Sequence, residues 1–289
     1  MTTTLKLYSP KTVAKAIGVS ESTLKRWVDS GRIAATKTAG GHRRLQRAHV
    51  LEFLRGKTKY ALAQPTVLGL PDFGNTQIEN SNDATSQLLE HLLKPDQDGC
   101  RNLLVYLFVN RWTIEEIIDQ VVAPAFAKIG QQWTEGKVEV YQERRACEIC
   151  LGVLKEIRLM LVPPSENAPK AIGGTLENDH YVLPTFSVEV TLASYGWNAT
   201  SLGSSLPFDT LLAAVKAENP KLFWLSISNV ENEPSLIEKL NEFSAQVPEH
   251  TSLVIGGNAI TPSLRASIKN ATCCDNLSQL VASTKRLVT

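Results

Sequence analysis

The sequence predicts a multidomain protein with a winged helix-turn-helix head, a four-helix bundle and an α/β doubly wound parallel-sheet domain. Three observations lead there. Residues 1–60 hold thirteen Lys or Arg against Glu21, Asp29 and Glu52, a balance of +10 in a chain whose overall charge is +1. Such segregation suits a basic part that meets a polyanion. Residues 83–162 carry apolar residues at helical spacing almost without interruption, and after Pro163-Pro164 short apolar runs alternate with helical stretches. The boundaries drawn from these shifts are 1–57 for the head, 58–82 for a linker, 83–164 for the bundle, which would cap the next domain, and 165–289 for the sheet domain.

The 289 residues, 43% of them hydrophobic, suffice for several buried cores. No run approaches the roughly 18 apolar residues that a bilayer span needs, and no leader pattern opens the chain, so a cytoplasmic protein with no membrane partner is expected. Five cysteines form no repeated metal-ligand spacing, which favours a reduced compartment over a disulfide framework.

In the head, Ser9 is placed to cap a first helix with Pro10 at its first position, Val13 and Ile17 on one face and Gly18 as the stop. Ser20 caps a second helix that turns Leu24, Trp27 and Val28 inward and leaves Glu21, Ser22, Thr23, Lys25 and Arg26 outward, with Gly31 at its end. In a helix-turn-helix the outward residues at the start of the second helix meet base edges, while nearby cations hold phosphates. The stretch RIAATKTAGGHRRLQRAHVLEFLRG then reads as a strand, a Gly40-Gly41 turn, a return strand and a third helix from Arg47 to Leu54. This hairpin is a wing whose tip presents Lys37, His42, Arg43 and Arg44.

The helix-turn-helix, the turn before Arg32-Ile33 and the GGHRRL wing together resemble the MerR family of transcription regulators. The resemblance covers about the first 57 residues and implies that Ser22, Thr23, Lys25, Arg26, Lys37, His42, Arg43 and Arg44 face double-stranded operator DNA. Residues 58–82 are interrupted by proline and glycine and end in amides, which reads as a linker rather than a long dimerising helix.

The bundle consists of four amphipathic segments joined by short loops. Its last segment puts Cys147, Cys150, Leu154, Ile157 and Leu161 on one stripe, where the cysteines are expected as small apolar groups without metal or redox chemistry. Trp133 ends the third segment, and Glu143 and Arg144 follow ten and eleven residues later.

Five strand-like runs follow, KAIGGTL, NATSLG, LFWLSIS, SLVIGG and ATCC, separated by helical stretches near 182–194, 207–218, 234–246, 261–268 and 276–287. That rhythm predicts a parallel sheet with any ligand at the carboxyl ends of its strands. No GxGxxG follows the first strand, which disfavours a dinucleotide enzyme. The features at the strand ends are Asp179, His180 and Tyr181 after the first strand, Ser226 and Ser228 after the third, and Gly256 and Gly257 after the fourth. The serines and glycines suit a cradle for a nucleotide-like tail, and Gly-Gly is equally an ordinary tight turn. Asp179 is expected to cap the helix that follows, with His180 as a helix-start residue.

A helical bundle followed by GTLENDHYVLP, YGWNATSLGSSLP, LSIS and VIGGNAIT in that order resembles the cobalamin-binding domains of corrinoid methyltransferases. With the MerR-like head attached, the chain resembles regulators of the CarH and CarA type over nearly its full length. That resemblance implies repression of genes, self-association as a dimer or tetramer and, in light-sensing members, adenosylcobalamin held by a loop reading Glu-x-Asp-x-His-x-x-Gly, whose histidine is the lower ligand to cobalt. Aligned on Glu177 and Asp179, the ligand position here is Tyr181, and Pro184 stands for the glycine. His180 falls one place early, a rotation of about 100° on a helix. A neutral phenol is a poor replacement for imidazole at a metal. On the upper face Trp133 and Glu143 match the family, whereas Arg144 replaces a histidine and Thr134 stands where light-sensing members carry another. The expectation is therefore a regulator that is not an enzyme, with no catalytic residue, no metal site and no resident cofactor, cobalamin being possible only without the family's axial histidine. Its sensory half would answer to a regulatory protein or a small-molecule effector. The two competing readings are a working adenosylcobalamin photoreceptor with an altered ligand and a corrinoid-dependent methyl-transfer or mutase subunit.

Overall fold

The computed structural model describes residues 6–56, 58–74 and 76–287; the expected domain boundary at Lys57 lies outside them. The chain forms two compact units, one built from residues up to Thr113 together with Gln120–Val162, the other from Ile114–Asp119 together with the chain from Pro163 onward.

In the first unit, helix α1 (Pro10–Ile17) starts where the Ser9 hydroxyl accepts the Thr12 N–H at 3.1 Å, and it ends at Gly18, whose φ of 78° lets its N–H reach back to Ala14 and Lys15. Helix α2 (Glu21–Asp29) is capped by Ser20 through the Thr23 N–H at 3.2 Å. Strands β2 (Thr36–Lys37) and β3 (Arg43–Gln46) form the hairpin, and α3 (Arg47–Arg55) closes the head. A further strand, β1 (Leu7–Tyr8), pairs antiparallel with β3, so the sheet order is β1-β3-β2. Val13, Ala16, Leu24, Trp27, Ile33, Leu45, Val50 and Leu51 form the buried centre.

The segment expected to be a linker is part of this head. Residues 63 and 64 donate their N–H groups to the Ala16 carbonyl at 2.8 and 3.0 Å, at the open end of α1. Pro65–Leu68 forms a 3-10 helix whose Leu68 is fully buried, Leu70 is buried behind it, and the Tyr8 hydroxyl donates to the Leu68 carbonyl at 2.8 Å. The Tyr60 ring lies 4.6 Å from that of Trp27. The physical reason is size: about fifty residues bury little surface alone, and this strap supplies the missing apolar side chains.

Helices α4 (Ser81–Leu93) and α5 (Gln97–Val109) follow, with α4 starting inside the expected linker range. The Arg55 guanidinium stacks 4.0 Å from the centre of the Phe108 ring and donates to the Phe108 carbonyl and, at 3.0 Å, to the Trp112 carbonyl. Arg111 donates in turn to the Thr58 carbonyl. A cation is favourable at the carbonyl end of a helix, so α3 is tied to the end of α5.

The third helical run is not continuous. Helix α6 (Ile114–Ile117) passes through a π-helical turn at Ile118–Val122 into α7 (Ala123–Thr134). Pro124 lacks the N–H that would bond to the Gln120 carbonyl, and the Thr85 hydroxyl donates to that carbonyl instead, at 3.0 Å. Helix α8 (Val140–Arg158) completes the set, and α4, α5, α7 and α8 pack on one another around Leu88, Leu104, Ile129, Cys150 and Leu154.

In the second unit five parallel strands, β4 (Lys170–Thr175), β5 (Asn198–Ser201), β6 (Leu222–Ser226), β7 (Ser252–Gly256) and β8 (Thr272–Cys274), take the order β5-β4-β6-β7-β8. Helices α9 (Val182–Ser194), α10 (Phe208–Glu218), α11 (Glu233–Gln246), α12 (Pro262–Ser267) and α13 (Leu277–Thr284) connect and follow them. The order reverses at β4, so the crevice at its carboxyl end, between β4 and β6, is where this architecture receives ligands. Ile172, Leu211, Phe223, Leu225, Phe243 and Ile255 form one core cluster. Residues Ile114–Asp119 join this unit through side chains: Tyr195 donates to Glu115, and the Asp119 carboxylate accepts the Leu277 and Ser278 N–H groups at 3.0 and 2.9 Å, capping α13.

Leu68→Ala is expected to cost the head about 2–5 kcal/mol in urea unfolding, as truncation in a core does. A loss below about 0.5 kcal/mol would identify residues 58–74 as a surface linker after all.

Candidate nucleic-acid interface and sheet-edge site

Helix α2 and the β2-β3 hairpin present the cationic residues. Ser22, Lys25 and Arg26 are exposed and Thr23 half-buried. The Ser22 and Thr23 hydroxyls each share a 2.9 Å hydrogen bond with the Ser20 hydroxyl, so both are held at the start of the helix. Lys25 pairs with Glu21 one turn back at 2.7 Å; the lysine, donating from solvent, holds the Glu21 carboxyl below its usual range. On the hairpin, Lys37 and His42 are exposed and Arg44 half-buried. The turn closes through Gly41 N–H to the Thr38 carbonyl at 2.8 Å, with Gly41 at φ 75°, a conformation that favours glycine. Arg43 is different, because its guanidinium is held by Asp29, the last residue of α2, at 2.5 Å. Among the described residues Arg26, Lys37 and Arg44 bind no carboxylate. Asp29 is the residue that sequence reasoning missed here, since nothing local links positions 29 and 43.

At the sheet edge the central group is Asp179, only 2% exposed. One carboxylate oxygen accepts the Tyr181 N–H at 3.1 Å and the other the Ser228 N–H at 2.6 Å. Its backbone carbonyl accepts from the Thr175 hydroxyl at 2.5 Å and from the Ser205 N–H at 3.0 Å. The loops after β4, β5 and β6 are thereby stitched together. This corrects the expected cap: α9 begins with Tyr181 at its cap position and no side-chain bond there. Asp179 lies too early in the chain, so its carboxylate reaches the N–H two residues on and then turns sideways to Ser228.

His180 is exposed, and Tyr181 is half-buried. Ser226 is buried at the end of β6, in register with Thr175 and Gly256, and the Ser228 hydroxyl is buried without a partner among the described residues. The two glycines are required by the protein's own backbone: a Cβ on Gly256 would lie 3.0 Å from the Cys274 carbonyl oxygen, and one on Gly257, at φ 120°, would collide with Ile227. The layer between the sheet and α9 is closed. The Trp224 ring lies against Gly173, which has no room for a Cβ, and its indole N–H donates to the buried Thr185 hydroxyl at 2.9 Å. The Asp179 carboxylate accepts two backbone amides, His180 is exposed, and the Trp224-Thr185 pair fills the layer between the sheet and α9.

In the first unit Trp133 is 52% exposed, so it is not a core residue. Arg144 lies 3.7 Å from Glu143, and the Thr134 hydroxyl donates to its own helix at Gln131. Cys147 donates to Glu143 at 3.4 Å; burial first, and then the neighbouring carboxylate, pushes its thiol up to about 12. Burial does the same to Cys100, also to about 12, and raises Cys150. No group of three His, Cys, Asp or Glu side chains suited to a metal occurs among the described residues. None of their helices is long and apolar enough to cross a membrane.

Residues 7–58 match a family model described as a helix-turn-helix domain, and residues 85–157 match one described as a B12 binding domain. The second match covers α4 to α8 and runs against the expectation of a chain with no resident cofactor. The monomethylamine corrinoid protein of Methanosarcina barkeri superposes over 72% of this chain and 100% of its own, with a TM-score of 0.59 at 13% identity. A cobalamin-binding protein from Desulfitobacterium hafniense DCB-2 aligns over 73% of this chain and 100% of its own at 16% identity, TM-score 0.39. The methanol:cobalamin methyltransferase complex MtaBC of Methanosarcina barkeri aligns over 72% of this chain and 81% of its own at 12% identity, TM-score 0.38. The first of these shows that the two share a fold. No curated protein matches the sequence.

Asp179→Ala should lower the stability of the sheet unit by about 2–3 kcal/mol, since two backbone amides lose a charged acceptor, while His180→Ala should stay within about 0.5 kcal/mol. Chemical denaturation of the two variants checks the contrast; equal losses would mean that His180 has a structural partner. Thiols pushed to about 12 hold almost no thiolate at neutral pH, so Cys100 and Cys147 should resist iodoacetamide in the folded chain and react on unfolding.

Proposed function

We propose that this chain is a DNA-binding transcription regulator of the MerR-like CarH and CarA type, in which a winged head grips operator DNA and the C-terminal half is a sensory module. The observation that carries this reading is the cationic face formed by the start of α2 and the β2-β3 hairpin, on a chain that also matches a B12 binding domain. Ser22, Thr23 and Arg26 on α2 are the candidates for base edges; Lys25, Lys37, His42 and Arg44 are suited to phosphates or the minor groove. Self-association as a dimer or tetramer would place two heads on two half-sites and raise affinity through effective concentration. Repression is the role that the resemblance to the CarH and CarA type implies.

For the sensory half, the B12 match favours a corrinoid in general, and the sheet edge argues against the histidine-ligated mode. The reading that joins both is a diverged sensor that works without histidine-ligated cobalamin, controlled by a regulatory protein or another small molecule. Likeness to a corrinoid protein also supports a methyl-transfer subunit, which has no use for the cationic head.

Binding is measured by fluorescence anisotropy with a duplex recovered by selection from a random-sequence pool. Lys37→Ala and Arg44→Ala should each flatten the dependence of log affinity on log salt by about 0.9, the share of one phosphate. Thr23→Ala should change the preferred sequence instead. Failure to retain any duplex at low salt would return the chain to the methyl-transfer reading. Adenosylcobalamin added in darkness should be removed by desalting; retained colour with a change of molecular size on illumination would establish the photoreceptor.

A further inference from the structure

We propose that Arg43 and Asp29 form a strut that sets the hairpin against the recognition helix, so that Arg43 acts as a positioning residue and not as a phosphate contact. The inference rests on reading the head as DNA-binding. The pair joins two elements fourteen residues apart, the last residue of α2 and the first of β3, at 2.5 Å. The Arg43 side chain is 31% exposed against 55% for Asp29, so the arginine is the more enclosed partner. In the register of the hairpin Arg43 stands opposite Lys37, and two like charges in that relation repel. The Asp29 carboxylate relieves that repulsion from outside the sheet and at the same time fixes the direction in which the hairpin leaves α2.

Lys25 is held in a different way. Its partner Glu21 lies one turn away on the same helix, both side chains are nearly half exposed, and a phosphate can draw the lysine off without moving any backbone. Drawing Arg43 off Asp29 would free the hairpin from α2 and leave three unbalanced cations, Lys37, Arg43 and Arg44, on one short ribbon. The hairpin cations therefore divide into two kinds. Among the described residues Lys37 and Arg44 bind no carboxylate, and Arg43 holds the geometry of the ribbon that carries them.

The test uses the full chain, the selected duplex and a scrambled duplex of equal length. Arg43→Gln and Asp29→Asn should each weaken binding to the selected duplex by about three-fold, the range of a partly exposed ion pair. The double variant should bind like either single one, and the salt slope of Arg43→Gln should equal that of the parent. Binding to the scrambled duplex should change less than binding to the selected one, because a displaced hairpin loses register before it loses charge. A slope reduced by about 0.9 in Arg43→Gln, or an Asp29→Asn chain that binds as well as the parent or better, overturns the strut while leaving the DNA-binding reading in place. A parent chain that binds neither duplex overturns both.

Discussion

The carboxylate of Asp179 is the interaction on which the candidate sensory site depends. A buried carboxylate is tolerated when it is hydrogen-bonded, and here two backbone N–H groups from different loops bond it, one at each oxygen. With the Asp179 carbonyl receiving Thr175 and Ser205 as well, the loops at the carboxyl edge of β4, β5 and β6 form one rigid rim.

Beneath that rim Trp224, Thr185 and Gly173 close the layer between the sheet and α9: the indole needs the bare glycine, and its N–H needs the threonine hydroxyl. That packing sits in a fold shared with a corrinoid protein, on a chain whose α4 to α8 match a B12 binding domain. Function resides in the site and not in the fold that bears it.

The first unit shows how a small head gains a defined place. Its core is completed by the strap through Tyr60, Leu68 and Leu70, and its last helix is fastened to α5 by the Arg55 guanidinium over Phe108. The π-helical turn at Ile118–Val122 has a comparable logic, with Thr85 taking the carbonyl that Pro124 abandons.

Much was legible in the residues alone because its causes are local. Ser9, Ser20 and Gly18 mark helix ends through their own backbone geometry, and the five strands of the sheet announce themselves as apolar runs between helical stretches. What the sequence by itself determined was thus the order of elements, the segregation of charge and the residue types at each turn. Tertiary structure alone decided that residues 58–74 belong to the head, that Asp29 holds Arg43, that Asp179 turns away from its own helix toward Ser228, and that Trp224 fills the layer under α9. Each of these pairs groups that are distant in sequence, and a donor, an acceptor or an apolar face carries no local mark of which distant partner will satisfy it.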